Sequence, residues 1–170
     1  MSMRVKLFFK VRLNFLQMNK IFYLLFILIF FSKANSESYV KAGDSLVWDS
    51  ENKNYIANGD VVFKNERFIA YADKMIANYI EENNSEIFTI IELFDNVIIE
   101  FEDETFKGNY AKYTRDDNII KLTGNVSIES PTRLLTGYEL IADIDNNKRI
   151  LNSANDETLV EVLLDNNADN

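Results

Sequence analysis

Beyond residue 40 the chain alternates apolar and polar positions, and the alternation centres on a phrase that occurs three times. Gly59-Asp60-Val61-Val62-Phe63 returns as Asp95-Asn96-Val97-Ile98-Ile99 and again as Gly124-Asn125-Val126-Ser127-Ile128. Two and four residues before Gly59, Asp95 and Gly124 lie Ala57 and Tyr55, Leu93 and Ile91, Leu122 and Ile120. Two and four residues after lie Val61 and Phe63, Val97 and Ile99, Val126 and Ile128. Polar residues such as Asn58, Glu92, Lys121 and Ser127 fall between them. Period two predicts strands with one buried face. A small or turn-prone residue at the centre predicts a bend or bulge in mid-strand.

A second phrase interleaves with the first, starting at Gly43, Ala72, Gly108 and Gly137, in steps of 29, 36 and 29 residues. It puts Leu46 and Trp48, Met75 and Ala77, Ala111 and Tyr113, and Leu140 and Ala142 on an apolar face. Each copy runs into a polar, Asn- and Asp-rich turn at 50–53, 81–85, 115–118 and 145–148, the composition that tight hairpins favour. The 36-residue step predicts a longer hairpin loop around 80–90, and Thr158–Leu164 reads as a last strand. Pro131, the single proline, falls between strands, where it removes no ladder bond. Repetition at this period means one supersecondary unit stacked on copies of itself. The fold class is therefore all-β, a roll of short antiparallel strands. Whether the roll is closed and fully packed, or open with an apolar interior and unpaired edges, is not decided by the pattern.

The first 34 residues follow a different rule. They carry six Lys or Arg and no acid, then the apolar run Ile21–Phe31, then Ser32-Lys33-Ala34. A positive flank, a short apolar core and a small-x-small exit predict a secretory signal peptide over 1–34, with Met18 as an alternative start. Eleven apolar residues fall short of the roughly 20 that a spanning helix needs, although an uncleaved anchor is the competing reading. The domain proper is then 35–164, followed by a polar tail at 165–170.

Without the leader, 12 basic residues face 27 acidic ones, a net charge of −15. Such a surface is a poor partner for nucleic acid, whose binding rests on phosphate neutralisation by Lys and Arg. With no His and no Cys, Ser–His and Cys–His nucleophiles are excluded, and the usual zinc ligands are missing. Asp143-x-Asp145-Asn146-Asn147 lacks the glycine and glutamate of a calcium loop and reads as a turn. No phosphate-cradling glycine loop occurs, and no cofactor is implied. A paired-carboxylate hydrolase stays formally open in so acidic a chain, but nothing singles out two carboxylates.

The phrases A-G-D-S-L-V-W-D, Y-I-A-x-G-D-V-V-F, A-D-K-M-x-A-x-Y, D-N-V-I-I, G-N-Y-A-x-Y and L-T-G-N-V-S-I together resemble the OstA-like family. That family comprises periplasmic lipopolysaccharide-transport proteins, among them LptA, LptC and the N-terminal domain of LptD. The resemblance runs from about 40 to about 150. It implies a β-jellyroll (a "β-taco") whose slot takes the acyl chains of lipopolysaccharide. It also implies head-to-tail stacking on copies of itself and on LptC-like and LptD-like jellyrolls. The inward row supplies the slot candidates: Val61, Phe63, Leu93, Val97, Ile99, Leu122, Val126 and Ile128. Each methylene removed from water there contributes about 0.8 kcal/mol, whether the partner is a lipid chain or the protein's own core. Lys64, Arg67, Lys107, Lys112 and Arg133 are the candidates for lipid phosphate contacts, although lone basic residues on strands are more often plain solvated positions. The alternatives are a membrane-anchored LptC-like component of the same pathway and a ligand-free structural β-repeat protein.

Overall fold

The alternating pattern folds as a meander. The computed structural model describes residues 38–155 and 159–164, and the expected signal peptide and polar tail lie outside them. The strands are β1 (Tyr39–Lys41), β2 (Ser45–Asp49), β3 (Asn54–Lys64), β4 (Ile69–Glu82) and β5 (Ser85–Phe101). Then follow β6 (Glu104–Thr114), β7 (Ile119–Ser130), β8 (Arg133–Asp143), β9 (Lys148–Asn152) and β10 (Glu161–Leu164). All pair antiparallel in one sheet ordered β1-β3-β4-β5-β6-β7-β8-β10, with β2 also on β3 and β9 also on β8. The order does not return on itself, so the sheet is not closed.

The long strands share one line of bends, and the β4–β5 pair carries a second irregularity off that line, between Asn78 and Tyr79. Pairing registers shift between Asn58 and Val61, Tyr71 and Lys74, Phe94 and Val97, Lys107 and Tyr110, and Thr123 and Val126. At every shift β3, β5 or β7 carries one residue more than its neighbour, which defines a β-bulge. The bulged pairs are the repeated phrase itself: Gly59-Asp60, Asp95-Asn96 and Gly124-Asn125, all with positive φ (74° and 42°, 60° and 50°, 80° and 52°). Gly, Asn and Asp tolerate this left-handed backbone best, which explains why the phrase recurs. The expected mid-strand bend is thus present in all three copies.

The crease divides the sheet into two leaves. The first holds β2, β9 and the halves of β3–β8 that pair with them, and the second holds β1, β10 and the remaining halves. Their inner faces meet: Phe63 of the second leaf packs edge-on against Phe88 of the first at 5.9 Å, and Phe68 against Tyr113 at 5.1 Å. Of the twelve alternating positions around the bulges, all but the half-buried Tyr55 are buried in one apolar cluster.

Two expectations need correction. The extra residues around 80–90 lengthen strands rather than a loop. β4 and β5 pair out to Glu82 and Ser85, and a two-residue turn, Asn83-Asn84, with φ of 51° and 62°, joins them. Two consecutive positive φ values match the right-handed twist of a hairpin, so a pair of asparagines suffices where a loop was expected. The last strand is also shorter than expected, since Leu159 and Val160 precede β10 without pairing in it.

Candidate functional site

The eight slot candidates come together. Val61, Phe63, Val97, Ile99, Val126 and Ile128 line the second leaf, Leu93 and Leu122 the first, and all eight are at most 2 % exposed. They belong to one contiguous cluster with Met75, Ile91, Phe106, Ile120 and Leu140. The leaves that enclose this cluster share backbone hydrogen bonds only along the strands that cross the crease. At their free lips they are held by side chains: Phe68 on Tyr113, and Arg67, from the β3–β4 turn, donating to Asp145 of the β8–β9 turn at 3.1 Å.

These contacts also show that the leaves are skewed. β3 of the second leaf lies over β5 of the first, and β5 and β6 of the second lie under β9 of the first. Each leaf therefore overhangs at one end. At the β2 end Leu46 and Trp48, which pair with the inward positions Ala57 and Tyr55, are 50 % and 59 % exposed. At the β10 end Val162, paired with the inward Leu135, is likewise exposed, as are Leu163 and Leu164. The alternation alone assigns Leu46 and Trp48 to the same apolar face as Met75 and Ala77. What it cannot show is that no opposite leaf covers them.

The basic candidates do not form one set. Lys64, Lys107 and Lys112 alternate with buried neighbours and point away from the interior, and Lys107 is paired with Glu129 at 2.8 Å. Arg67 sits at the lip. Arg133 alone shares the inward parity, pairing across β8 and β7 two residues from Leu135, and its guanidinium donates to Glu104 Oε1 at 3.0 Å.

Around Glu104 is a group that the sequence reading missed. Glu104 begins β6 on the inner face, two residues before Phe106, and is 8 % exposed. Arg149 of β9 pairs with the inward Ala142 and donates from Nε to Glu104 Oε2 at 3.0 Å. Its guanidinium lies 5.2 Å and 5.3 Å from the ring centres of Phe101 and Phe106, near enough for cation–π attraction. Nη1 donates to the backbone oxygens of Asp143 and Lys148, whereas the buried Nη2 has no acceptor among the described residues. The available signal was parity, since Glu104 and Arg149 are charges on positions that alternate with Phe106 and Leu151.

The opposite end is aromatic. Trp48 Nε1 donates to the Tyr79 hydroxyl at 2.8 Å and stacks beside Tyr55, which in turn meets Tyr79 and Phe88. Tyr55 donates to Glu86 at 2.6 Å, and that bond to a carboxylate, with partial burial, pushes its phenol up to about 12. On the outer surface Tyr110 is raised to about 12 as well, by burial first and then by its bond to Glu92. Among the described residues no group of three His, Cys, Asp or Glu is placed to hold a metal ion, and no helix is long and apolar enough to cross a membrane.

Comparison with known proteins supports the architecture. No curated protein matches the chain at a significant level. A solved structure that it resembles is LptH of Pseudomonas aeruginosa, described as the LptA-homologous periplasmic component of the conserved lipopolysaccharide transport device. The match has a TM-score of 0.66 at 13 % identity and covers 79 % of this chain and 99 % of LptH. At that identity the likeness shows the β-jellyroll fold. The family model for the LptA/(LptD N-terminal domain) LPS transport protein matches residues 39–148, and the chain belongs to that family.

Proposed function

We propose that this chain is a non-catalytic periplasmic carrier that holds lipopolysaccharide by its acyl chains between the two leaves and passes it from the inner towards the outer membrane. The observation that carries the reading is the open sheet. The apolar faces are pressed together by side chains at the lips, so the leaves can part around a lipid without breaking a strand ladder. The candidates Val61, Phe63, Leu93, Val97, Ile99, Leu122, Val126 and Ile128 are the surface such chains would wet. The two overhangs support stacking, since the first leaf's ledge at one end and the second leaf's ledge at the other are complementary in side and in chemistry. Copies of this chain, or LptC-like and LptD-like jellyrolls, would cover them. Export by a leader cleaved after Ala34 belongs to the same proposal.

The test is to express the full chain with its own N-terminus in a Gram-negative cell, recover it from the periplasmic fraction, sequence its N-terminus, and extract bound lipid for mass spectrometry. Stoichiometric lipid A supports a carrier. A protein that emerges lipid-free and ignores added lipopolysaccharide sinks the reading and leaves a structural β-roll. Val97→Asp and Ile128→Asp should lose lipid. Variants that refold normally and keep it would show that these positions do not line the slot.

A further inference from the structure

Asn-x-Ser/Thr is the acceptor sequence for N-linked glycans when it stands on the surface of an exported protein. The chain contains it twice, at Asn83-Asn84-Ser85 and at Asn125-Val126-Ser127. The fold treats the two copies in opposite ways.

Asn83 opens the two-residue turn between β4 and β5. Pairing of β4 with β3 reaches Asn78, and one further bond runs from the Tyr79 N–H to the Lys53 oxygen. On the other side β6 pairs with β5 as far as Ile90, and the Arg115 N–H donates to the Thr89 oxygen. Among the described residues, 80–88 therefore form a two-stranded finger with no third strand on either edge. The finger projects about 10 Å past its neighbours, three residues at about 3.3 Å each. Lys53 and Tyr55 brace it as far as Glu81 and Glu86. Glu82 to Ser85 lie beyond those braces and are all exposed. The Asn83 amide and the Ser85 hydroxyl make no hydrogen bond among the described residues, so both are free for an incoming enzyme. A ribbon of two strands is marginal on its own, and its tip opens without disturbing the sheet.

Asn125 is held differently. It is the second residue of a bulge at the crease, and the Val126 that follows is 1 % exposed. Ser127 pairs with Lys107 on one side and Thr136 on the other. An enzyme reaches this serine only by parting β7 from both neighbours.

We propose that Asn83 is a glycosylation site, its glycan supplied on a lipid diphosphate and transferred by an oligosaccharyltransferase. The side-chain nitrogen of Asn83 forms a bond to the anomeric carbon of the first sugar. The bond from that carbon to the lipid diphosphate breaks, and its electron pair leaves with the diphosphate. The displaced amide proton passes to a base of the transferase. The site is separate from the eight residues of the inner slot and from both overhangs. It rests on the carrier reading only for export to the compartment where such transfer occurs.

The experiment incubates the folded full chain with a purified single-subunit oligosaccharyltransferase and a lipid-diphosphate-linked oligosaccharide, and locates the added mass by peptide mapping. Neither export nor bound lipopolysaccharide enters this assay. One glycan per chain, on Asn83, is expected. Transfer to Asn83 should outpace transfer to Asn125 by about tenfold in the folded chain, because Asn125 must wait for local opening. A tryptic digest frees both sequences and should bring their rates within severalfold of each other. Ser85→Ala should abolish transfer to Asn83 and Ser85→Thr should keep it, both with the melting temperature unchanged. A folded chain that stays unmodified while its digest accepts glycan at Asn83 overturns the proposal, as does a digest that is refused there. Equal transfer to Asn83 and Asn125 in the folded chain also overturns it, since the finger would then confer nothing. A chain that accepts glycan in this assay yet keeps its leader in the cell sinks the export reading and leaves the site standing.

Discussion

The two ends of the roll occupy equivalent places in the fold and are finished by opposite chemistry. At the β2 end the inner face ends in rings: Tyr55 meets Trp48, Tyr79 and Phe88, Phe88 meets Phe63, and the exposed Trp48 lies outermost with its indole N–H donating to the Tyr79 hydroxyl. At the β9 end it is filled by Arg149 and Glu104 lying against Phe101 and Phe106. Both ends are also capped by a strand broken at the crease. Between β1 and β2 the break is three residues, 42–44, and Gly43 and Asp44 still bond to Gly59 and Asn58. Between β9 and β10 the described residues 153–155, 159 and 160 all stand outside the strands. The difference teaches that a repeat frame dictates where an end falls but not how it is sealed. Rings hold by buried area and stay neutral below about pH 10, whereas an ion group holds only while every charge keeps its partner.

Removing a ring should do the greatest damage. Phe63→Ala should cost about 3–5 kcal/mol, because a buried aromatic leaves both lost transfer energy and a cavity, and no second substitution nearby should recover it in urea unfolding. The ionic end should behave otherwise. Glu104→Ala should cost about 3 kcal/mol by stranding a buried guanidinium, while the pair Glu104→Leu with Arg149→Leu should return close to wild-type stability. If the double variant is no better than the single one, the two ends do not differ in kind.

The crease, common to both ends, should respond in between. Gly124 has a φ of 80°, and a Cβ there would stand 2.9 Å from Asn109 Nδ2, so Gly124→Val should cost about 1–3 kcal/mol. The smallest effect is alkaline and one-sided. The Tyr55 phenol is raised from 10.0 to about 12 in the folded protein. Its contribution is therefore complete below pH 10 and is lost as pH climbs from 10 through 12, a range in which arginine does not titrate. Tyr110 adds to the same loss. Trp48 is the only tryptophan, so its emission should report loosening at the β2 end in that range. No change in emission up to pH 12 would remove the link between Tyr55 and that end.

Much of this was legible in the chain. The phrase around Gly59, Asp95 and Gly124 located three bulges, because backbone conformation at a bend restricts the residue as strictly as burial does. The alternation located the interior, because period two is a direct image of a sheet's two faces. Three things were not legible. The strand extension through Asn83-Asn84 was hidden because two asparagines serve a tight turn or a loop equally well. The overhang of Leu46 and Trp48 depends on the skew between leaves, which no local pattern records. The role of Glu104 and Arg149 depends on a meeting across 45 residues, visible beforehand only as charges of the wrong parity. Of the five basic candidates only Arg133 stands where an inward contact is possible, and parity could have ranked it first.

The bulged crease has a consequence for how such a protein can change its length. Each pair of long strands brings its own bend, so every cross-section of the roll is alike and is fixed by about 30 residues of local sequence. Duplicating or deleting one such unit in the gene would move the ends by roughly 10 Å, two strand spacings, while leaving each remaining unit with neighbours of the kind it already had. The reach of the molecule is thus an adjustable quantity, open to evolution by whole steps and closed to it by fractions of a step.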